Sequence, residues 1–426
     1  PGNNGIIRIL VLYDAILFIL SFMFLAILFI FGSPEIFLTT KSITFLVLVF
    51  VWLLLVMRKI TYIMDAIEKT VTNEVVMTVM RITLSVGIVI LYFENSLNLT
   101  TFLLIQNCTI LIFLLISLRF VYKYIPRGKA SNTIKETSKV FKQYCMPLFW
   151  ASVITIIASL VDRTILQYFG GSVAQGYYSL GSNTAALCIM LTGCMSPLLL
   201  REYALAFEKN DKKRLVYLFK KYIPLFYVIT GVIACYAAVH GDWLASLIGG
   251  TDFSQAAMPV ALMCLATLHQ TYGQICSTFM SAADRTRELG GIAIFIALLG
   301  LPIAYFMLAP GKYWGLNIGA AGLAMKNVIV QIIAVNIQLW FVVRYLKIGI
   351  SRFLFHQVLV LVLFLTFGFT VKYLVGMTFG VGITALLVSG VLYLTLIIMF
   401  IAFFPSLIAM NRFELFSHVK TLSVLL

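Results

Sequence analysis

The sequence predicts an all-α, polytopic membrane protein, and its composition and its apolar segments both support this fold class. Of the 426 residues, 62% are hydrophobic and 11% are charged, whereas soluble domains carry about 25% charged residues. The mean hydropathy is +1.02. Long, continuous apolar runs indicate spanning helices, because the strands of a membrane β-barrel alternate between polar and apolar residues.

Twelve apolar segments have the length and composition of membrane-spanning helices. They lie at about 10–31, 42–57, 77–93, 100–121, 144–168, 174–200, 222–246, 255–281, 290–309, 315–343, 353–374 and 380–404. The loops that connect them are short, and the longest, 119–143, is rich in basic residues. We therefore expect about twelve transmembrane helices and no soluble domain.

Basic residues are concentrated in every second loop. The loop at 119–142 holds seven Lys or Arg residues and one acidic residue, Glu136, whereas the loops at 94–99, 169–173 and 247–254 hold no Lys or Arg. Because basic loops mark the cytoplasmic side, both ends of this chain are predicted to be cytoplasmic. The net charge of +15 is then a topology signal, and we expect no nucleic-acid partner.

Catalytic and metal-binding patterns are missing from the sequence. The four histidines lack metal-ligand spacing, and the seven cysteines lie in apolar segments without a CxxC pair. GxSxG and HExxH motifs are absent as well. We therefore expect no enzyme, no metal and no cofactor. An H⁺ or Na⁺ gradient is the candidate energy source for the transport that the resemblance described below implies.

The strongest functional signal is the adjacent pair Asp162-Arg163, near the end of the segment at 144–168. A charged residue inside hydrocarbon costs about 2.5–3.5 kcal/mol on insertion scales, so Arg163 needs a partner, water or a polar ligand. One interpretation is a local Asp162–Arg163 ion pair at the outer interface. The other is that Arg163 binds an anionic group in a water-filled cavity, where its planar fork suits phosphate, while Asp162 orients it.

Lys326 is a second candidate cation, and Asn327 follows it within the segment at 315–343. It is either a helix-end lysine that reaches the interface or a substrate-binding cation in the same cavity as Arg163. Asn183 and Gln274, which also interrupt apolar segments, are predicted to line that cavity.

Two further residues are candidates for ion coupling. Asp14 interrupts the first apolar segment, and His269 interrupts the eighth. Asp14 could instead lie near the cytoplasmic interface, and His269 could be a hydrogen-bonded packing residue. A buried carboxylate or imidazole can carry protons between the two sides of a membrane.

The stretch at 144–204 resembles the Wzx-type polysaccharide flippases of the multidrug/oligosaccharidyl-lipid/polysaccharide exporter (MOP) superfamily. The resemblance rests on 160–171 (LVDRTILQYFGG), 174–180 (AQGYYSL), Pro197 and Arg201-Glu202. It implies a MATE-like fold of two pseudo-two-fold-related helical lobes around a central cavity. Six helices precede the motif in that family and four precede it here. Together with the Pro1-Gly2 start, this leads us to expect a copy that lacks its first two helices.

The resemblance also implies a function and a domain plan. The function is translocation of undecaprenyl-diphosphate-linked oligosaccharide across the bacterial cytoplasmic (inner) membrane for polysaccharide or O-antigen biosynthesis. The expected partners are this substrate, membrane lipids and polysaccharide polymerase machinery. The plan comprises an amino-terminal lobe at 1–142, a carboxyl-terminal lobe of six helices at 143–343, and two additional helices with a cytoplasmic tail at 344–426.

Three other functions stay open at this point. The first is a cation-coupled multidrug antiporter of the same superfamily, which would favour an acidic or aromatic cavity. The second is a membrane-embedded polysaccharide polymerase or acyltransferase, which would need a long outward loop or a catalytic histidine. The third is a structural membrane scaffold, which would leave the intramembrane charges without a role.

Overall fold

The computed structural model describes Met23 and residues 41–67, 69–124, 134–380 and 382–409. Within these residues every regular element is helical, which confirms the all-α prediction. Eleven of the twelve predicted segments coincide with described helices. The first segment, apart from Met23, lies outside the described residues, and so does the candidate coupling residue Asp14.

The described residues form two compact units, one within Pro1–Gln143 and one within Tyr144–Leu426. Three helices of the first unit are α1 (Lys41–Ala66), α2 (Thr70–Phe93) and α3 (Leu99–Tyr124). The core of this unit is apolar and includes Met57 of α1 and Ile110 of α3. Asn107 of α3 donates a hydrogen bond to the backbone oxygen of Leu46 at 3.0 Å, so one polar side chain ties α3 to α1.

The boundary between the units falls inside the next helix. The helices that follow α3 are α4 (Ile134–Glu208), α5 (Lys212–Val239), α6 (Gly241–Gly249), α7 (Ala257–Ala282), α8 (Thr286–Leu308), α9 (Ala320–Leu346), α10 (Ser351–Phe379) and α11 (Ile383–Phe403). Helix α5 ends before the predicted segment 222–246 does, because the chain bends at His240 into the short helix α6.

Helix α4 breaks at Gly171, where φ is 71° and ψ is −173°. Only glycine adopts this backbone region without strain. The break separates the two predicted segments at 144–168 and 174–200, so their predicted separation is confirmed. The first half of α4 carries Asp162 and Arg163, and the second half carries Tyr178.

Helix α7 lies in the core of the second unit and packs against α5 and α9. Glycines allow this close packing. A Cβ atom at Gly273 of α7 would lie 3.1 Å from Cγ2 of Val335 in α9, and one at Gly181 would lie 2.9 Å from the backbone of Pro259. Helices α10 and α11 belong to the same core, and the predicted division at residue 344 stays a prediction.

By length and composition, nine of the described helices are able to cross a membrane. Helix α4 counts once among them although it contains two predicted segments, and α7, predicted as the span 255–281, is not among them. His269, Gln270 and Gln274 interrupt the apolar sequence of helix α7. Surrounding helices rather than lipid cover much of its surface, which accommodates these polar residues.

Candidate functional site

A polar cavity of about 510 Å³ lies among α4, α7, α8 and α9 in the second unit. Amide side chains contribute much of its polar lining: Gln270, Gln274, Asn327, Gln331 and Gln338. Hydroxyl groups contribute further polar atoms: Thr155, Ser159, Tyr178 and Ser277. Amides and hydroxyls both donate and accept hydrogen bonds, so the lining suits a neutral ligand rich in polar groups.

One ion pair lies in the cavity wall and joins α4 to α9. The ammonium group of Lys326 donates to Oδ2 of Asp162 at 2.6 Å, and the two side chains are only 9% and 11% exposed. A buried ion pair offsets its desolvation cost only when the geometry is good and the charges balance. The pair therefore leaves the cavity wall close to neutral.

Gly300 of α8 makes room for this ion pair. A Cβ atom at Gly300 would lie 2.8 Å from Cε and 3.0 Å from Nζ of Lys326. A larger residue at this position would require the end of the Lys326 side chain to shift. Sequence reasoning did not single out Gly300, although a glycine inside an apolar membrane helix is a known signal of close packing.

Arg163 lies on a different side of α4 from Asp162. Its side chain is exposed, and its guanidinium carbon lies 5.4 Å from the centroid of the Tyr178 ring. The backbone oxygen of Arg163 accepts a hydrogen bond from Nε2 of Gln175 at 2.5 Å. The hydroxyl of Tyr178 in turn accepts from Nδ2 of Asn327 at 2.9 Å. Two residues that follow the Gly171 break, Gln175 and Tyr178, thus contact Arg163 beside the cavity wall.

These contacts correct one interpretation of the sequence. The local Asp162–Arg163 ion pair does not form, because Asp162 pairs with Lys326 on another helix. Consecutive residues on a helix point about 100° apart, so one side chain faces the cavity and the next does not. Among the described residues, no carboxylate lies within ion-pair distance of Arg163.

The other predicted site residues divide into two groups. Gln274 and Asn327 line the cavity, in the place where polar lining was predicted. Asn183 is exposed and lies outside the cavity lining. His269 is buried, with Nδ1 3.5 Å from the hydroxyl of Tyr227 on α5. The predicted roles of these residues in binding and coupling stay predictions.

The spacing of residues along α7 explains why His269 and Gln274 separate. Gln270, Gln274 and Ser277 follow helical spacing and share the cavity face. His269 points to the core face instead. A similar stripe, Thr155, Ser159 and Asp162, lies on the first half of α4. This hydroxyl stripe was missed in the sequence, although its regular helical spacing before a buried charge was the available signal.

Several buried acceptor atoms in the cavity wall have no protein partner among the described residues. They are Oδ1 of Asp162, Oε1 of Gln274 and Oε1 of Gln338. A buried acceptor that is left without a donor costs about 1–3 kcal/mol. A ligand that brings hydroxyl or amide hydrogens into this space would satisfy these oxygens.

Comparisons with known proteins identify the fold. No protein-family model and no curated protein sequence matches the chain. Among solved structures, an outward-facing multidrug resistance MATE family transporter of the MOP superfamily superposes with a TM-score of 0.67 at 14% identity, over 81% of this chain and 79% of that one. A MATE structure in the straight conformation gives 0.63 at 13% identity, over 79% and 78%.

A mutant of the Vibrio cholerae MATE transporter VcmN also matches, with a TM-score of 0.56 at 17% identity, over 80% of this chain and 77% of that one. Three such matches confirm the predicted MATE-like fold. The solved structures that share it are transporters. At these identities the likeness concerns the fold alone.

Proposed function

We propose that this protein is a membrane transporter that moves a lipid-linked oligosaccharide across the bacterial cytoplasmic membrane. The shared fold supports the transporter part of this proposal. The resemblance of 144–204 to Wzx-type flippases and the chemistry of the polar cavity support the substrate part. The single observation on which the proposal depends is the neutral, amide- and hydroxyl-rich cavity wall.

The cavity wall fits a sugar better than it fits a hydrophobic cation. A sugar is neutral, and each of its hydroxyls both donates and accepts hydrogen bonds. The unpartnered oxygens of Gln274 and Gln338 accept from such hydroxyls, and the remaining amide and hydroxyl groups supply donors. The one carboxylate in the wall, Asp162, is already paired with Lys326, so it offers little net charge to a cationic ligand.

Arg163 is the candidate contact for the diphosphate of the substrate. Among the described residues it has no carboxylate partner, and its guanidinium group stacks on Tyr178, which lines the cavity. A guanidinium group donates two parallel hydrogen bonds to phosphate oxygens. Lys326 was predicted as a second phosphate-binding cation, but its pairing with Asp162 gives it a structural role in the absence of substrate.

In this mechanism the substrate is divided among three environments. The diphosphate binds Arg163, the sugars enter the polar cavity, and the polyprenyl chain stays in the lipid. Rigid-body movement of one helical bundle against the other then exposes the substrate to the opposite side of the membrane. An H⁺ or Na⁺ gradient stays the candidate energy source.

A vesicle assay tests the proposal. The purified protein is reconstituted into liposomes that contain a labelled undecaprenyl-diphosphate-linked oligosaccharide, and label reaching the other leaflet is measured. Replacing Arg163 by Ala removes charge-assisted hydrogen bonds of about 1.5–3 kcal/mol each, so transport should fall roughly tenfold or more. Equal transport by Arg163→Ala and wild type would overturn the role of Arg163, and no transport by wild type would overturn the substrate class.

Arg214→Ala is a matched control for this assay. Arg214 lies 5.7 Å from the ring centroid of Tyr217, much as Arg163 stacks on Tyr178. It forms an exposed ion pair with Glu202 and lies outside the polar cavity. Transport by Arg214→Ala should equal that of the wild type.

A multidrug antiporter is the second candidate, because one of the structures that share the fold is a multidrug resistance transporter. Such a cavity should present aromatic rings or a free carboxylate to a cationic drug. Tyr178 is the aromatic residue in the polar lining described here. Efflux of cationic dyes from the same liposomes, without movement of the labelled oligosaccharide, would favour the antiporter.

A further inference from the structure

A second cavity, of about 360 Å³, lies where α7 ends, α8 begins and α9 ends, beside Arg285 and Arg344. We call it the arginine groove. It shares no lining residue with the polar cavity. Its floor is apolar and includes the buried Phe279 and Met280, and its wall includes Trp340, Phe341 and Tyr345.

The aromatic wall of the arginine groove is exposed although it is large and apolar. Trp340 is 45% exposed and Tyr345 is 46% exposed. The ring of Tyr345 lies 5.9 Å from that of buried Phe279, edge to face, so the wall is continuous with the core. Trp and Tyr in membrane proteins concentrate at the depth of the lipid headgroups. The groove therefore has the features of a surface in contact with that layer.

Two guanidinium groups lie at the same groove. Arg344, in the last turn of α9, lies 5.2 Å from the ring centroid of Trp340, and no described carboxylate lies within ion-pair distance of it. Arg285 donates to Oε1 of Glu288 at 2.8 Å. Two guanidinium groups and one carboxylate give the groove a net positive charge.

The combination of positive charge and apolar surface indicates which class of ligand the groove binds. A soluble anion would use the arginines but would leave the aromatic floor and wall uncovered. An apolar helix of another protein would cover the rings but would leave Arg344 without a counter-ion. A phospholipid satisfies both, because its phosphate is joined directly to acyl chains. Basic residues also mark the predicted cytoplasmic side, where anionic lipids attract them.

We propose that the arginine groove binds one anionic glycerophospholipid, whose phosphate contacts Arg344 and Arg285 and whose acyl chain lies along Trp340 and Phe341. The bound lipid ties the start of α8 to the end of α9. Both helices carry lining residues of the polar cavity. This proposal concerns lipid binding and does not depend on what the protein transports.

Native mass spectrometry of the full chain, released from detergent with added phosphatidylglycerol or phosphatidylcholine, tests this proposal. Wild type should retain one phosphatidylglycerol and release phosphatidylcholine. Each arginine attracts the anionic headgroup of the lipid. The double variant Arg285→Ala/Arg344→Ala should therefore retain roughly tenfold less phosphatidylglycerol. The control Arg214→Ala, whose arginine stacks on Tyr217 at 5.7 Å outside the groove, should bind like the wild type.

A thermal measurement separates lost binding from lost folding. Without lipid, the double variant and wild type should have similar melting temperatures in detergent, because both arginines are exposed. Added phosphatidylglycerol should raise the melting temperature of wild type and not that of the variant. Equal retention by every variant, equal retention of phosphatidylcholine, or displacement of phosphatidylglycerol by undecaprenyl diphosphate would each overturn the proposal.

Discussion

Lys326 of α9 donates its ammonium hydrogen to Asp162 of α4, a residue 164 positions earlier in the chain, over 2.6 Å. The contact lies in the wall of the polar cavity and leaves Oδ1 of Asp162 without a partner among the described residues. It also changes the electrostatic description of the site. A cavity that was predicted to hold two free cations has a balanced pair in its wall and one uncompensated guanidinium group, that of Arg163, beside it.

The ion pair should show strong coupling in a double-mutant cycle. Removing one partner leaves an uncompensated buried charge, at a cost of about 3–5 kcal/mol. Asp162→Asn and Lys326→Met should therefore each lower thermal stability in detergent markedly, and the double variant should recover most of the loss. Additive losses would show that the two groups do not interact.

The more exposed pair of Lys372 and Asp242 is the control for that cycle. Its groups also lie 2.6 Å apart, but the side chains are 24% and 50% exposed. Exposed pairs contribute about 0–1 kcal/mol. A cycle on Lys372→Met and Asp242→Asn should therefore give a much smaller coupling energy than the buried pair.

Gly300→Ala should disturb the same ion pair without altering either charge. The added methyl group would lie 2.8 Å from Cε of Lys326, and forcing extra volume into a packed interior costs about 1–3 kcal/mol. We expect lower thermal stability and lower oligosaccharide transport. Gly291→Ala, on the same helix with nothing within 4 Å of the new Cβ, should leave both properties unchanged. Equal effects at the two positions would indicate a general loss of helix flexibility instead.

Sequence reasoning predicted the all-α fold well because a membrane imposes strong constraints on helix length. The turn at Gly171 and the separation of α4 into two predicted segments followed from apolar run lengths alone. The partner of Asp162 could not be predicted in the same way. Lys326 lies on a distant helix, and its contact depends on Gly300 and on which face of α4 turns inward, and neither is determined by local sequence.

Whether a polar residue lines the cavity also depends on the helix face on which it lies. Gln274 and His269 interrupt the same apolar segment, and composition alone cannot tell which of them lines the cavity. Their five-residue separation places them on different faces of α7, so one lines the cavity and the other contacts Tyr227. Helical spacing identifies the residues that line the cavity only when the orientation of one of them is known.

The break in α4 should depend on glycine at position 171. A Cβ atom there would meet nothing within 4 Å, so Gly171→Ala tests the backbone conformation by itself. Residues held in such sparsely populated regions cost about 1–3 kcal/mol. Thermal stability should fall by that order, while Gly376→Ala, also free of contacts within 4 Å but inside α10, should not destabilise the protein. A neutral Gly171→Ala variant would mean that the break does not require this conformation.

The unpartnered amides of the polar cavity should affect transport and stability in opposite directions. Replacing Gln274 and Gln338 by Leu removes two buried acceptors, Oε1 of each residue, that have no partner among the described residues. Replacing an unsatisfied polar group by an apolar one of similar size is neutral or stabilising. Thermal stability of Gln274→Leu/Gln338→Leu should therefore hold or rise, whereas transport of the labelled oligosaccharide should fall several-fold. Gln255→Leu is the control, because Gln255 is exposed and lies outside the lining of the polar cavity, and it should change neither. If the double variant lost stability and transport together, the amides would be structural groups, and the case for a sugar ligand in this cavity would fail.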